Sequence, residues 1–272
     1  MKNNQPVGVL GAGSFGTAIA MLLSRNVDVL LYSRKQEVVD VINQSHENLG
    51  IRLSKRVRGT TSLEEIAETC NLLFPVVPSD NFRGLMQEIS PFLHPFHIMI
   101  HGTKGFDVAG ADIDILPDQP LLKEQVSTMS EVILQETVVV RVGCLSGPNL
   151  ATEILQGQPT ATVIGSRFDE VIDIGKKVLS SPSFHVFGTY DLIGAELAGA
   201  LKNIIAIGSG ILRGIGLGKN IQAMLITRGL VEMVYFGKAM GATSQAFFGT
   251  AGIGDLVATA TSKESRNFTF GY

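Results

Sequence analysis

Several short segments of this chain pair chemically useful side chains with telling spacing. Gly11-Ala-Gly-Ser-Phe-Gly16 lies between a short apolar run and a helical pattern. In that setting Gly11 permits a tight turn, Gly13 lets the backbone approach a pyrophosphate, and Gly16 lets the helix pack closely on a sheet. Ser14 and Phe15 complete the loop, whose phosphates would face free N–H groups at the positive helix end. A glycine turn that binds nothing is the alternative. Lys202 and Asn203 fall in a helical pattern flanked by Ala198, Leu201, Ile204 and Ile205. A lysine there can be desolvated, which lowers its pKa and allows proton exchange near neutral pH. From helix position alone it more often snorkels to water. Ser265-Arg266-Asn267 offers a hydroxyl, a planar cation and an amide together, a set that suits a phosphate monoester. It could also be an ordinary polar helix end.

The elements that must position these groups follow a simple pattern. Val7–Leu10 reads as a strand and Ser14–Ser24 as a helix. Val27–Tyr32, Leu72–Val77, Phe96–Ile100, Thr137–Gly143, Thr160–Ile164 and Phe184–Phe187 read as further strands, with a helix over Gln36–Ser45. Ser62, three residues before Glu65, is a helix start, and Pro78 ends a strand before a helix capped by Ser79 or Asp80. Alternating strands and helices predict a Rossmann-like, doubly wound parallel sheet over residues 1–190. From Asp191 strand signals stop. Ile193–Leu212 and Ala223–Met240 read as long helices around a turn at Leu217-Gly-Lys-Asn, and Asp255–Thr261 as a shorter one. A separate all-helical domain over 191–272 is expected. Lys104 and the Ser146–Asn149 loop each follow a strand, where ligands of open α/β sheets bind. Asp255 begins a helix, so its plainest job is a cap, with Thr259 one turn later on the same face.

Composition narrows the class. Of 272 residues, 45% are hydrophobic and 17% charged, which describes a core-forming protein long enough for two domains. A net charge of −3 without a long basic stretch argues against nucleic acid. Cys70 and Cys144 cannot build a disulfide framework, which fits a reducing cytoplasm, and the five histidines lack metal-ligand spacing, so no metal is expected. The N-terminus shows no secretory pattern, and glycines interrupt the apolar runs, so no membrane insertion is expected.

The segments Gly102-Thr-Lys-Gly105, Leu145-Ser-Gly-Pro-Asn149, Glu196-Leu-Ala-Gly-Ala-Leu-Lys-Asn203, Gly252-Ile-Gly-Asp255 and Ser265-Arg-Asn267 occur in one order along the chain. With the glycine turn, the set resembles NAD(P)-dependent glycerol-3-phosphate dehydrogenases of the bacterial type. The resemblance implies reduction of dihydroxyacetone phosphate to sn-glycerol 3-phosphate, feeding phospholipid synthesis. It makes Lys202 the proton donor, and puts Lys104 near both nicotinamide and substrate oxygen. Gly147, Asn149, Asn203, Asp255, Ser265, Arg266 and Asn267 become substrate contacts. Gly11, Gly13, Ser14, Phe15, Gly16, Arg34, Lys104, Ala151 and Arg266 become cofactor contacts. A homodimer is implied through the helical domain.

Two features set the chain apart. An NAD-preferring site usually ends its second strand on an acid, but Ser33-Arg34 stands here, and an arginine can pair with a 2′-phosphate, so NADPH is favoured over NADH. Arg34 could instead face solvent or stack on adenine, leaving both cofactors usable. The chain ends on Phe268-Thr-Phe-Gly-Tyr272, apolar residues that read as mid-domain sequence, so a truncated helical domain is expected. Family members carry Ser or Thr where Asn149 stands. Competing readings are a two-domain reductase of the ketopantoate or 6-phosphogluconate type, and a nicotinamide-binding sensor without turnover.

Overall fold

The computed structural model describes residues 5–108 and 122–272. Its main sheet has eight strands: β1 (Val7–Leu10), β2 (Val29–Tyr32), β3 (Val57–Thr60), β4 (Leu72–Pro75), β5 (Ile98–His101), β6 (Arg141–Ser146), β7 (Thr160–Ser166) and β8 (Phe184–Thr189). Their spatial order is β8-β7-β6-β5-β4-β1-β2-β3. Side chains alternate between two apolar layers, as period-two strands require. Val7, Val9, Val29, Leu31, Leu72, Phe74, Ile98 and Ile100 face one core, shared with α1 (Ser14–Leu23), α2 (Gln36–Ser45) and, after the intervening helices, α7 (Asp169–Leu179). Leu10, Leu30, Leu73, Met99 and Val142 face the other, shared with α3 (Leu63–Thr69), α4 (Phe82–Ile89) and α5 (Met129–Glu136). Both faces are therefore covered, as a doubly wound sheet demands.

The wholly parallel sheet expected from the alternation needs one correction. β7 runs antiparallel to β6, and β8 runs parallel to β7, so the last two strands are reversed. The β6–β7 connection holds only the short helix α6 (Ala151–Leu155), and it returns the chain alongside β6 in the opposite direction. The strand expected at Thr137–Gly143 lies at Arg141–Ser146. Thr137 instead ends α5, where its hydroxyl donates to the Ile133 carbonyl. β3 is a strand that periodicity missed, since Arg58 and Gly59 interrupt its apolar pattern.

Every described element after β8 is helical: α8 (Leu192–Gly214), α9 (Lys219–Ala239), α10 (Gln245–Phe248), a π-turn at Thr250–Gly254, α11 (Asp255–Thr261) and α12 (Arg266–Gly271). Asp191 caps α8 by accepting from the Gly194 N–H at 2.8 Å. Although glycines punctuate its sequence, α8 is one continuous helix, long and apolar enough by composition to cross a membrane. Most of that apolar stretch is buried inside the fold, the pattern of a core helix. Leu197, Ala198, Ile205 and Ala206 of α8 share a third apolar cluster with Ile226, Met233, Phe247, Leu256 and Ala260.

Candidate active site

The glycine turn sits where β1 hands over to α1. Gly11 has φ +126°, a conformation that disfavours side chains. A Cβ on Gly16 would fall 1.8 Å from the Gly11 carbonyl oxygen, so only glycine lets α1 start there. A Cβ on Gly13 would meet nothing within 4 Å. That opening lies on the cleft side, with room for a phosphate to come close to the backbone, so the turn fits a dinucleotide. Asn48 holds the turn from behind, its amide donating to the Ala12 carbonyl at 2.9 Å and to Thr17 Oγ1 at 2.8 Å. No motif marked this asparagine; it lies outside the glycine segment and reaches it only through tertiary structure.

A cleft of about 470 Å³ opens beside the turn. Gly13, Ser14, Phe15, Lys104, Asn149 and Ala151 line one side. Lys202, Asn203, Ser265, Arg266 and Asn267 line the other, with Thr259. Gly11, Gly16, Arg34, Gly147 and Asp255 stand outside this lining. Gly11 and Gly16 shape the turn from within, while Gly147 and Asp255 hold lysines that border the cleft. Arg34 is exposed just beyond the end of β2 and is not among the residues that line the cleft. Val76, Val77, Pro78, Ser79, Thr103, Leu150, Thr152 and Glu264 also border the cleft. Sequence reasoning missed them as site residues, although the strand end at Pro78 marked the segment.

Four side chains, Lys104, Lys202, Asp255 and Thr259, form one hydrogen-bonded cluster. Lys202 Nζ donates to Asp255 Oδ1 at 2.5 Å and to Thr259 Oγ1 at 2.5 Å. Lys104 Nζ donates to the other carboxylate oxygen, Asp255 Oδ2, at 2.6 Å and to the Gly147 carbonyl at 2.9 Å. Thr259 completes the ring by donating to Asp255 Oδ1 at 3.2 Å. Lys202 is 5% exposed and Asp255 1%. Loss of water and the neighbouring Lys104 ammonium drive the Lys202 pKa down to about 7, with the Asp255 carboxylate opposing them. Snorkelling is therefore ruled out for this lysine. Asp255 is not a cap either, because its carboxylate is spent on two ammoniums; Gly254 stands at the cap position.

Glycines bring these groups together. In the π-turn, a Cβ on Gly252 would lie 2.2 Å from the Phe247 carbonyl oxygen. Where α12 crosses α8, a Cβ on Gly210 would lie 2.1 Å from the Phe268 oxygen, and one on Gly271 2.1 Å from the Ile207 oxygen. The backbones thus touch, and Asn267 Nδ2 reaches Asn203 Oδ1 at 2.8 Å. Ser265 caps α12 by accepting from the Phe268 N–H at 3.3 Å, so its hydroxyl serves the helix end as well as the cleft wall. That arrangement leaves the Arg266 guanidinium at the first position of α12, where an anion is favoured. Asn149 Nδ2 donates to Thr162 Oγ1 at 2.9 Å, and its buried Oδ1 has no partner among the described residues.

A Rossmann-like half carrying a glycine turn, facing a helical half that presents a depressed lysine in the shared cleft, defines a two-domain nicotinamide-dependent oxidoreductase. The model of the NAD-dependent glycerol-3-phosphate dehydrogenase N-terminus matches residues 6–171, and that of the C-terminus matches residues 191–272. A glycerol-3-phosphate dehydrogenase [NAD(P)+] from an Exiguobacterium species is 39% identical over 97% of this chain and 76% of its own length. One from Saccharophagus degradans is 39% identical over 100% of this chain and 73% of its own. The solved glycerol-3-phosphate dehydrogenase from Coxiella burnetii superposes with a TM-score of 0.88 at 33% identity, covering 98% of this chain and 79% of that one. The chain belongs to the NAD-dependent glycerol-3-phosphate dehydrogenase family.

Proposed function

We propose that this chain interconverts dihydroxyacetone phosphate and sn-glycerol 3-phosphate with NADPH or NADH, in the cytoplasm and as a homodimer, in support of phospholipid synthesis. The observation that carries the reading is the Lys202–Asp255–Lys104 cluster, with Lys202 and Asp255 buried and Lys104 half-buried, whose two lysines border one cleft with the glycine turn and Arg266. A bound nicotinamide supplies hydride to the carbonyl carbon. The remaining work falls to side chains of the chain. Lys202, with a pKa near working pH, gives its proton to the carbonyl oxygen in reduction and takes it back in oxidation. Asp255 and Thr259 hold that ammonium in place. Lys104 adds positive charge where the oxygen becomes negative.

Ser265, Arg266 and Asn267 receive the phosphate, with Arg266 also bordering the cofactor. Asn149 and Gly147 meet the substrate from the nucleotide-binding half, Asn203 from the helical half, and Ala151 meets the cofactor. Gly11, Gly13, Ser14, Phe15 and Gly16 cradle the pyrophosphate, and Arg34 reaches a 2′-phosphate. Following NADPH and NADH absorbance with dihydroxyacetone phosphate tests the reading. Substrate-dependent oxidation, faster with NADPH, is expected. Cofactor binding without oxidation would leave a sensor, and equal use of unphosphorylated dihydroxyacetone would remove the phosphate site. Sedimentation of the same sample tests the dimer.

A further inference from the structure

Behind the reacting cluster, and outside the cleft, lies a second buried polar group that catalysis does not use directly. His101 closes β5, three residues before Lys104, and Glu196 lies on α8, six residues before Lys202. Glu196 Oε1 lies 3.0 Å from His101 Nε2 and accepts from the Ser130 N–H at 2.8 Å. A carboxylate oxygen facing Nε2 assigns the ring proton to that nitrogen. Ser130 Oγ is 3.2 Å from the same nitrogen. The side chains of His101 and Glu196 are 2% and 6% exposed, and the Phe82 ring meets the imidazole edge-on.

The sheet register explains why α8 arrives here. His101 pairs with Cys144 on β6, and Ser146 follows two residues on, hence on the same sheet face. Cys144 lies against Leu192, and Ser146 against Gly199, so that α8 runs along this face with Glu196 between them.

We propose that Glu196 and His101 are positioning residues that hold Lys202 and Lys104 in register across the cleft. The proposal rests on the reading of Lys202 as proton donor. Stability alone is a poor explanation of the pair. Glu196 Oε2 and His101 Nδ1 are buried without a hydrogen-bond partner among the described residues, which subtracts from stability. Apolar residues of similar size would fill the same seam at lower cost. Only the polar pair supplies direction. Two N–H groups, one on β5 and one at the start of α5, converge on a single oxygen and fix both the rotation and the axial position of α8. Lys202 is less than two turns further along, so any slip of α8 moves its ammonium away from Asp255 and Thr259. On the other side, His101 starts the segment that delivers Lys104. One contact therefore sets both lysines against the shared carboxylate.

The test compares Glu196→Ala, Glu196→Gln, His101→Ala and the double alanine variant with the parent chain, measuring kcat, both KM values and the thermal midpoint. Glu196→Ala should lower kcat on the order of tenfold to 10²-fold, the penalty of a small misplacement. The KM for NADPH should stay within about twofold, because the glycine turn is untouched. Glu196→Gln should recover to within about threefold of the parent, since its amide oxygen still accepts both donors. The double variant should be no slower than Glu196→Ala, because the two act as one unit. A lowered midpoint with parental kcat in Glu196→Ala would reduce the pair to packing and overturn the proposal. So would Glu196→Gln as slow as the alanine variant. If Glu196→Ala does not fold, His101→Ala takes its place, and parental kcat there overturns the proposal in the same way. A parent that binds NADPH but never turns over dihydroxyacetone phosphate removes the proton-donor reading, and the proposal falls with it.

Discussion

The two ends of the cleft are built on opposite principles. The cofactor end is local: six consecutive residues, Gly11 to Gly16, make the turn, and backbone geometry does most of the work. The chemical end is assembled from afar. Lys104 and Asp255 are 151 residues apart, and Lys202 and Asp255 are 53 apart, yet one carboxylate binds both ammoniums. The first kind of site depends on the absence of side chains, the second on their mutual burial. Substitutions should therefore fail differently at the two ends.

The largest effect is expected at the chemical end. Lys202→Met should lower kcat on the order of 10³-fold while cofactor affinity stays unchanged, as loss of a general acid does. A kinetic constant within tenfold of the parent would mean that another group moves the proton. Next comes Arg266→Ala, which should raise the KM for dihydroxyacetone phosphate on the order of 10²-fold and leave an unphosphorylated ketone unaffected. Equal losses for both ketones would assign Arg266 to the cofactor alone. The glycine turn sharpens the contrast. Gly13→Ala should fold with an unchanged thermal midpoint, because its methyl meets open space, yet weaken NADPH binding on the order of tenfold. Gly16→Ala should instead lose about 1–3 kcal/mol of stability, since its methyl collides with the Gly11 carbonyl. Calorimetry with NADPH separates the two. The smallest effect belongs to exposed Arg34: its alanine variant should shift the NADPH-to-NADH preference by about two- to fivefold, the range of solvated ion pairs.

The same contrast explains what could be read in the sequence. The glycine turn was legible because its mechanism lies in the spacing of neighbours. β1, α1 and α11 were legible within a residue, and the switch to helices near Asp191 was visible because strand periodicity stops there. The reversal of β7 was not, since periodicity carries no strand direction. Helix position alone favoured snorkelling for Lys202; the family resemblance reversed that in favour of a proton donor, and the packing of α11 on α8 buries the lysine. Asp255 read locally as a cap, and only the distant lysines reveal its carboxylate as a shared counter-ion. Glu196 stood in a segment that carries the resemblance, yet neither it nor His101 nor Asn48 could be given a role from sequence, because each acts through a partner far away in the chain.

The most direct test is the pH dependence of kcat/KM in both reaction directions. Burial and Lys104 hold Lys202 down to about 7, so it is protonated below that pH and neutral above it. Reduction needs the protonated form, so its kcat/KM should fall as pH rises through about 7, and oxidation should rise over the same range. A Lys202→Met variant should lose both limbs. A break near the ordinary lysine value of about 10, or the same break persisting in the variant, would show that this buried ammonium does not carry the proton.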